Sequence, residues 1–372
     1  MAKRDKMLKF QINDEDLGVF VPTDPAAYEQ KLEALRQVVS EVEEHRETPE
    51  KAIEIVTQMV QADPYFVQGA AILGEMLLSS ERDEEAEELY VKSCRTLLKL
   101  LPADFAGPMD AVNNDVQCFL RCHTGYVEAL TGKGEYAEAL SASLRQLAFD
   151  PDDLFGRRQE LGELYIRNED WAQAEEELRR QSEERPTAWY SLGYLYFVRG
   201  DYAQAAAHLR RGFLRSPYVV DFITARLTAP NLFWDAAPMI GDYQEDMSYL
   251  EMLGGDLWSE NREAHNFIEW LSQTSAALMD RARLVEVAEG CFDRSLPVKE
   301  AEKGYAALWN ALTSEAAAKM VAQVRDPETG AQVYPWNLLN LYHEQMYQDS
   351  DFDDDDADDC GCGCGCGDHD KH

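Results

Sequence analysis

Apolar residues return at three- and four-residue spacing in two consecutive stretches of this chain, and both stretches keep the same order. Leu161, Gly162 and Tyr165 are followed by Trp171 and Ala174; 31 residues further on, Leu192, Gly193 and Tyr196 are followed by Tyr202 and Ala205. Residues so spaced line one face of a helix, so each stretch predicts two helices joined by a turn. Gly200-Asp201 makes that turn in the second copy. Gly193 admits a close neighbour, and Ala205 leaves room where the second helix crosses the first. Pro186 and Pro217 stand where a helix has ended, because proline lacks a backbone donor and disfavours helix in the residue before it.

The full pattern, Trp189-x2-Leu192-Gly193-x2-Tyr196 followed by Tyr202, Ala205 and Pro217, resembles the tetratricopeptide repeat, as does the copy at Leu161, Gly162, Tyr165, Ala174 and Pro186. The resemblance implies an all-α solenoid of helix-turn-helix units, each burying its apolar face only by stacking on the next, in a protein that works by holding a partner. Weaker copies extend it upstream. Tyr136, Ala139, Asp150 and Pro151 close a unit whose first helix begins near Leu120 and carries Tyr126 and Leu130. Ala52, Val56, Asp63 and Pro64 close another; Leu73, Gly74, Ala86 and Tyr90 build the next, with 34 residues from Ala52 to Ala86. About five units then span residues 28–219, strongest over 155–219, after an N-terminal extension of residues 1–27. Between Leu101 and Asn114, Pro102, Gly107 and Pro108 predict a loop that interrupts the array.

Residues 220–348 read as a helical C-terminal region that caps the last repeat. Apolar spacing predicts helices at Tyr249–Leu253, Glu263–Leu271, Ser275–Glu289, Val298–Val324 and Trp336–Tyr347, with loops at Thr228–Asp235 and Asp326–Pro335. Pro217-Tyr218-Val219, Glu245-Asp246, Trp258 and Ile268-Glu269-Trp270-Leu271 resemble the post-repeat segment of suppressor-of-tumorigenicity type repeat proteins. That likeness implies a helical interaction protein and adds no catalytic residue.

Charge narrows the partner. The net charge is -35, and the last 24 residues, with ten aspartates against one lysine, leave -26 on the first 348. A surface this negative repels phosphate backbones and anionic lipids, so no nucleic acid and no membrane is expected as partner. The groove lined by the first helix of each unit should present Gln68, Glu75, Thr124, Glu128, Gln159 and Glu163 at one end, and Tyr190, Tyr194 and Phe197 at the other. Some tetratricopeptide proteins grip a C-terminal carboxylate there with Lys, Arg and Asn, and this chain departs from them. Its groove should prefer a basic or aromatic-rich peptide or protein segment. The same aromatic rings could instead pack against a neighbouring repeat.

The tail, residues 349–372, is a solvated aspartate tether ending in Cys360-Gly-Cys362-Gly-Cys364-Gly-Cys366-Gly, with His369 and His372 close behind. Four thiols separated by glycines and two imidazoles could wrap zinc or copper(I). The spacing resembles a degenerate form of a small zinc-binding Cys-x-Cys module, without its trailing Cys-His pair. Reversible thiol oxidation and a plain solubility tail are the alternatives. Cys118, Cys122 and His123 form a second cluster, explained as well by core packing, as are Cys94 and Cys291. There is no Gly-rich phosphate loop, no Gly-x-Ser-x-Gly and no His-Glu-x2-His; His208 and His265 stand alone.

The sequence therefore predicts a scaffold or adaptor and not an enzyme, with no cofactor in the body, and metal handling through the tail as the rival reading. Met1–Phe10 lacks a run of seven apolar residues and no stretch approaches a membrane span, so a cytoplasmic location is expected.

Overall fold

The computed structural model describes residues 6–226 and 232–339. Five helical hairpins run in chain order: α1 (Pro25–Glu43) with α2 (Pro49–Ala62), α3 (Val67–Leu78) with α4 (Asp83–Leu97), α5 (Asn114–Gly132) with α6 (Tyr136–Phe149), α7 (Leu161–Arg167) with α8 (Trp171–Gln181), and α9 (Ala188–Val198) with α10 (Tyr202–Arg215). From α1 to α8 each helix packs on the next, and α3 also packs on α5. This is the stacked helix-turn-helix arrangement of an all-α solenoid.

Local chemistry sets the helix ends. Asp24 accepts from the amides of Ala26 and Ala27 at the start of α1, and Thr48, Asn113, Asp170 and Asp201 cap α2, α5, α8 and α10 in the same manner. Within each hairpin the turn passes through one left-handed residue: His45, Glu81, Gly134, Glu169 and Gly200. Close packing then fixes the small residues. A Cβ on Gly125 of α5 would lie 2.2 Å from the Tyr90 ring on α4, and one on Gly162 would lie 2.3 Å from Leu178. Tyr90 also fills the space above Gly74, so a single ring is wedged against glycines of α3 and α5.

Residues 1–27 contain an element that helical spacing does not predict. β1 (Leu8–Ile12) and β2 (Gly18–Pro22) form an antiparallel hairpin with Phe10 opposite Phe20. Its turn is an Asx turn in which Asn13 Oδ1 accepts from the amides of Glu15 and Leu17. The interrupting loop after α4 is tied to it. Gly18 donates to Pro108 O at 3.0 Å, and Met109 donates to Phe149 O at the end of α6 at 2.8 Å. Phe20 then packs edge-on against Phe119.

Two compact units result: residues through Leu195 together with Ser248–Leu257, and Tyr196–Met247 together with the residues from Trp258 onward. After α10 come α11 (Pro217–Ile223), α12 (Leu232–Asp235), α13 (Tyr243–Glu251), α14 (Leu253–Ser259), α15 (Arg262–Gln273), α16 (Ser275–Phe292), α17 (Val298–Ala311) and α18 (Ser314–Met320). The helix expected over Val298–Val324 is two helices. Leu312 leaves helical geometry, and Thr313 starts α18 by accepting from the Ala316 amide at 3.1 Å. The loop expected at Asp326–Pro335 holds most of a small hairpin, β3 (Val324–Arg325) with β4 (Gln332–Val333). Leu214, Tyr218, Trp234, Leu284, Leu308 and Leu312 form the second unit's core.

Candidate partner-binding face

The first helices of the array carry the residues predicted to line a groove, and the first unit treats its two ends differently. On α3 and α5 the face starts from a buried anchor. Asp115 is 6% exposed and accepts from the Tyr28 hydroxyl and, at 2.8 Å, from Gln68 Nε2. Burial raises its carboxyl above the usual aspartate range, although both hydrogen bonds pull the other way. Gln68 is thus a structural tie between α3 and α5. Thr124 is likewise turned to α6, where its hydroxyl accepts from Gln146 Nε2 at 2.7 Å.

One turn or more along the same helices the face is open. Glu75 on α3 is exposed and pairs with the exposed Arg121 of α5; Glu128, seven residues beyond Arg121 and so on the same side of the helix, is exposed as well. Gln159 is exposed in the short 3-10 turn before α7.

At the other end the expectation of an open groove is corrected. Glu163 on α7 is 1% exposed, and its Oε1 accepts from Ser191 Oγ and from Arg185 Nη2, the latter at 3.1 Å. Ser191 Oγ lies 3.2 Å from the Tyr249 hydroxyl, and the Tyr249 ring lies 6.1 Å from that of the fully buried Tyr190. Immediately before α7, Glu160 pairs with the buried Arg157 and accepts the Leu253 amide at 3.3 Å. Residues Ser248–Leu257 therefore occupy the face that Glu163 and Tyr190 would otherwise offer. Tyr194 is buried too. In the second unit, Phe197 is buried in an aromatic cluster with Tyr202, Phe267 and Trp336. Large apolar rings release more free energy when removed from water than when left facing it, so the aromatic positions became interior.

Glu160, Ser191, Tyr249 and Leu253 escaped the sequence argument. Glu160 falls just before the repeat's recognisable Leu161, and nothing local marks Tyr249 as a partner of α9.

Chemistry elsewhere is structural. Cys94 and Cys122 are fully buried, and burial lifts both thiols well above their usual range, while Cys118 is pushed up to about 12. His123 Nδ1 meets Gln146 Oε1 at 3.1 Å in a site whose burial pushes the imidazole down to about 4. Among the described residues no group of three or more His, Cys, Asp or Glu could hold a metal ion. His208 stacks on Tyr196 with its Nδ1 2.7 Å from Gln204 O, and His265 Nε2 lies 3.0 Å from Ile223 O. The expected metal donors Cys360, Cys362, Cys364, Cys366, His369 and His372 lie outside the described residues.

Residues 160–213 match the family model described as tetratricopeptide repeat. The match ends before the post-repeat segment. No curated protein matches the chain. A solved structure described as Naa15/Naa10 bound to HypK-THB is similar over 87% of this chain and 43% of that one, with 16% identity and a TM-score of 0.30. The chain thus spans less than half the length of that chain.

Proposed function

Because this chain carries tetratricopeptide repeats, we propose that it is a protein-interaction scaffold whose partner presents a basic segment to the open face of α3 and α5. One observation carries the reading: Glu75 and Glu128 stand exposed on that face, whereas Glu163 and Tyr190 are covered by the chain's own residues. The net charge of -35 steers a basic partner toward it, and the arginine carried by α5, Arg121, is already engaged by Glu75. On this reading the protein acts by binding and catalyses nothing.

The test uses an array of twelve-residue peptides graded in lysine and arginine content, probed with the full chain. Basic peptides should be retained, and Glu75→Gln with Glu128→Gln should weaken them about tenfold, the loss of two charge-assisted contacts of about 0.7 kcal/mol each. Retention of acidic peptides, or basic binding indifferent to the double change, overturns the reading.

No helix among the described residues is long and apolar enough to cross a membrane. The four free cysteines among them support a reducing compartment, and we place the protein in the cytoplasm. A second reading, metal handling, rests on Cys360 to Cys366 alternating with glycine and followed by His369 and His372. Titrating zinc and copper(I) into the whole chain and into one ending at Asp359 decides it: tight binding must be lost on truncation.

A further inference from the structure

Within the second unit a cavity of about 270 Å³ lies among α10, α11, α15 and α16. Three guanidinium groups and two carboxylates line it: Arg210, Arg226 and Arg281 against Asp221 and Asp280. Two of the cations are spoken for. Arg281 holds Asp221 with both terminal nitrogens, Nη1 at 2.7 Å, and lies 5.6 Å from the centre of the Trp234 ring. Arg210 grips Asp280 through Nε at 2.9 Å and through Nη2, leaving Nη1 with only the Met320 sulfur, a weak acceptor, at 3.5 Å.

Arg226 is different. Its side chain has no hydrogen-bond or ion-pair partner among the described residues, yet its backbone is held firmly. Ala225 adopts a left-handed φ of 52°, its amide donates to Phe222 O at 3.0 Å, and the Arg226 amide donates to Asp221 O at 2.7 Å. That is the Schellman closure of α11, and it fixes the point from which the unpaired guanidinium springs. Among the described residues the cavity therefore holds one uncompensated positive charge, in a chain of net charge -35. Beside it lie Leu214, Val220 and Leu278, the last half exposed to the opening. A site that combines an apolar wall with one fixed, unpaired cation suits a ligand with an apolar body and one negative end.

We propose that this cavity binds a compact organic carboxylate with a branched aliphatic body, the carboxylate on Arg226 and the body against Leu214, Val220 and Leu278. The two ion pairs hold the walls, and Arg226 alone answers the ligand's charge. The carboxylate belongs either to a free acid or to the end of a peptide chain, since both present the same group.

Calorimetric titration of the full chain with 4-methylpentanoate tests the proposal. One saturable site is expected, with acetate and 4-methylpentanamide each at least tenfold weaker, because one lacks the body and the other the charge. N-acetyl-leucine separates the two sources: tighter binding than 4-methylpentanoate assigns the site to chain ends, weaker binding to free acids. Arg226→Gln should abolish the heat while leaving the melting temperature in place, as the side chain is exposed, and Arg226→Lys should restore part of it. Leu278→Gln should weaken 4-methylpentanoate and not acetate. Acetate binding as tightly as 4-methylpentanoate, an unchanged affinity in Arg226→Gln, or no saturable heat overturns the proposal.

Discussion

The backbone amide of Leu253 donates to the side-chain carboxylate of Glu160 at 3.3 Å, across 93 residues of sequence. Leu253 is 2% exposed and belongs to the same core as Phe119 and Leu164. The segment that covers the late face of the array is thus anchored twice, by an amide on a carboxylate and by an apolar side chain in the core.

Leu253→Ala should therefore destabilise the protein by about 2–5 kcal/mol, the range for emptying a buried leucine site. Tyr249→Phe should cost only about 1 kcal/mol, the net worth of one hydrogen bond. Urea unfolding of both variants checks the order.

Two glycines separate two reasons for being glycine. Gly200 has φ of 76° and open space where a Cβ would go, so Gly200→Ala meets only the backbone cost of the left-handed region, about 1 kcal/mol. In Gly125→Ala the new methyl would fall 2.2 Å from the Tyr90 ring, and the damage should exceed that of Gly200→Ala. Equal melting temperatures for the two variants would contradict the packing.

Asp246 is fully buried, and burial pushes its carboxyl up to about 8, aided by the nearby Glu245 and Asp242 and opposed by Ser216 and the Tyr218 backbone. The folded state keeps a proton that the unfolded chain releases near pH ~3.9. Its contribution is complete below that pH and is lost as pH rises through about 8. His123, pushed down to about 4, does the reverse: its contribution is present above the unfolded imidazole value of ~6.5 and is lost as pH falls toward 4. One proton each way cancels between those limits. Between about pH 6.5 and 8 the Asp246 contribution is no longer offset by His123, and that contribution to the unfolding free energy should fall by about 2 kcal/mol. Denaturant midpoints of Asp246→Asn across that window should be flat where the parent slopes.

Glu75→Ala removes an exposed ion pair with Arg121 and should change stability by less than about 0.5 kcal/mol. Loss of basic-peptide binding in this variant, with an unchanged melt, would separate recognition from folding.

Much of the helical frame could be read directly. The Leu-Gly-x2-Tyr spacing marks α7 and α9 because glycine and alanine are required where helices cross, and Asp170 and Asp201 mark the starts of α8 and α10 because their side chains cap free amides. The β1–β2 hairpin was missed since its strands are only five residues long and Ile12 faces solvent, which blurs the alternation. Solvent exposure was legible at Glu75, Glu128 and Gln159, where it follows from their own local positions. It was not legible at Glu163 and Tyr190. Their burial depends on Tyr249 and its neighbours, and a contact that spans 58 residues leaves no periodic trace on either side.

That span also orders events in time. A ribosome releases α7 and α9 before residues 249–253 have been made, so Ser191 waits 58 residues for Tyr249 and Glu160 waits 93 for Leu253. Chains fold from the N-terminus as they emerge, and during that interval Tyr190 lacks the Tyr249 ring and Glu163 has only Arg185 and Ser191 beside it. A nascent chain stopped at that length displays an unfinished stack, whose covering residues are still to be made.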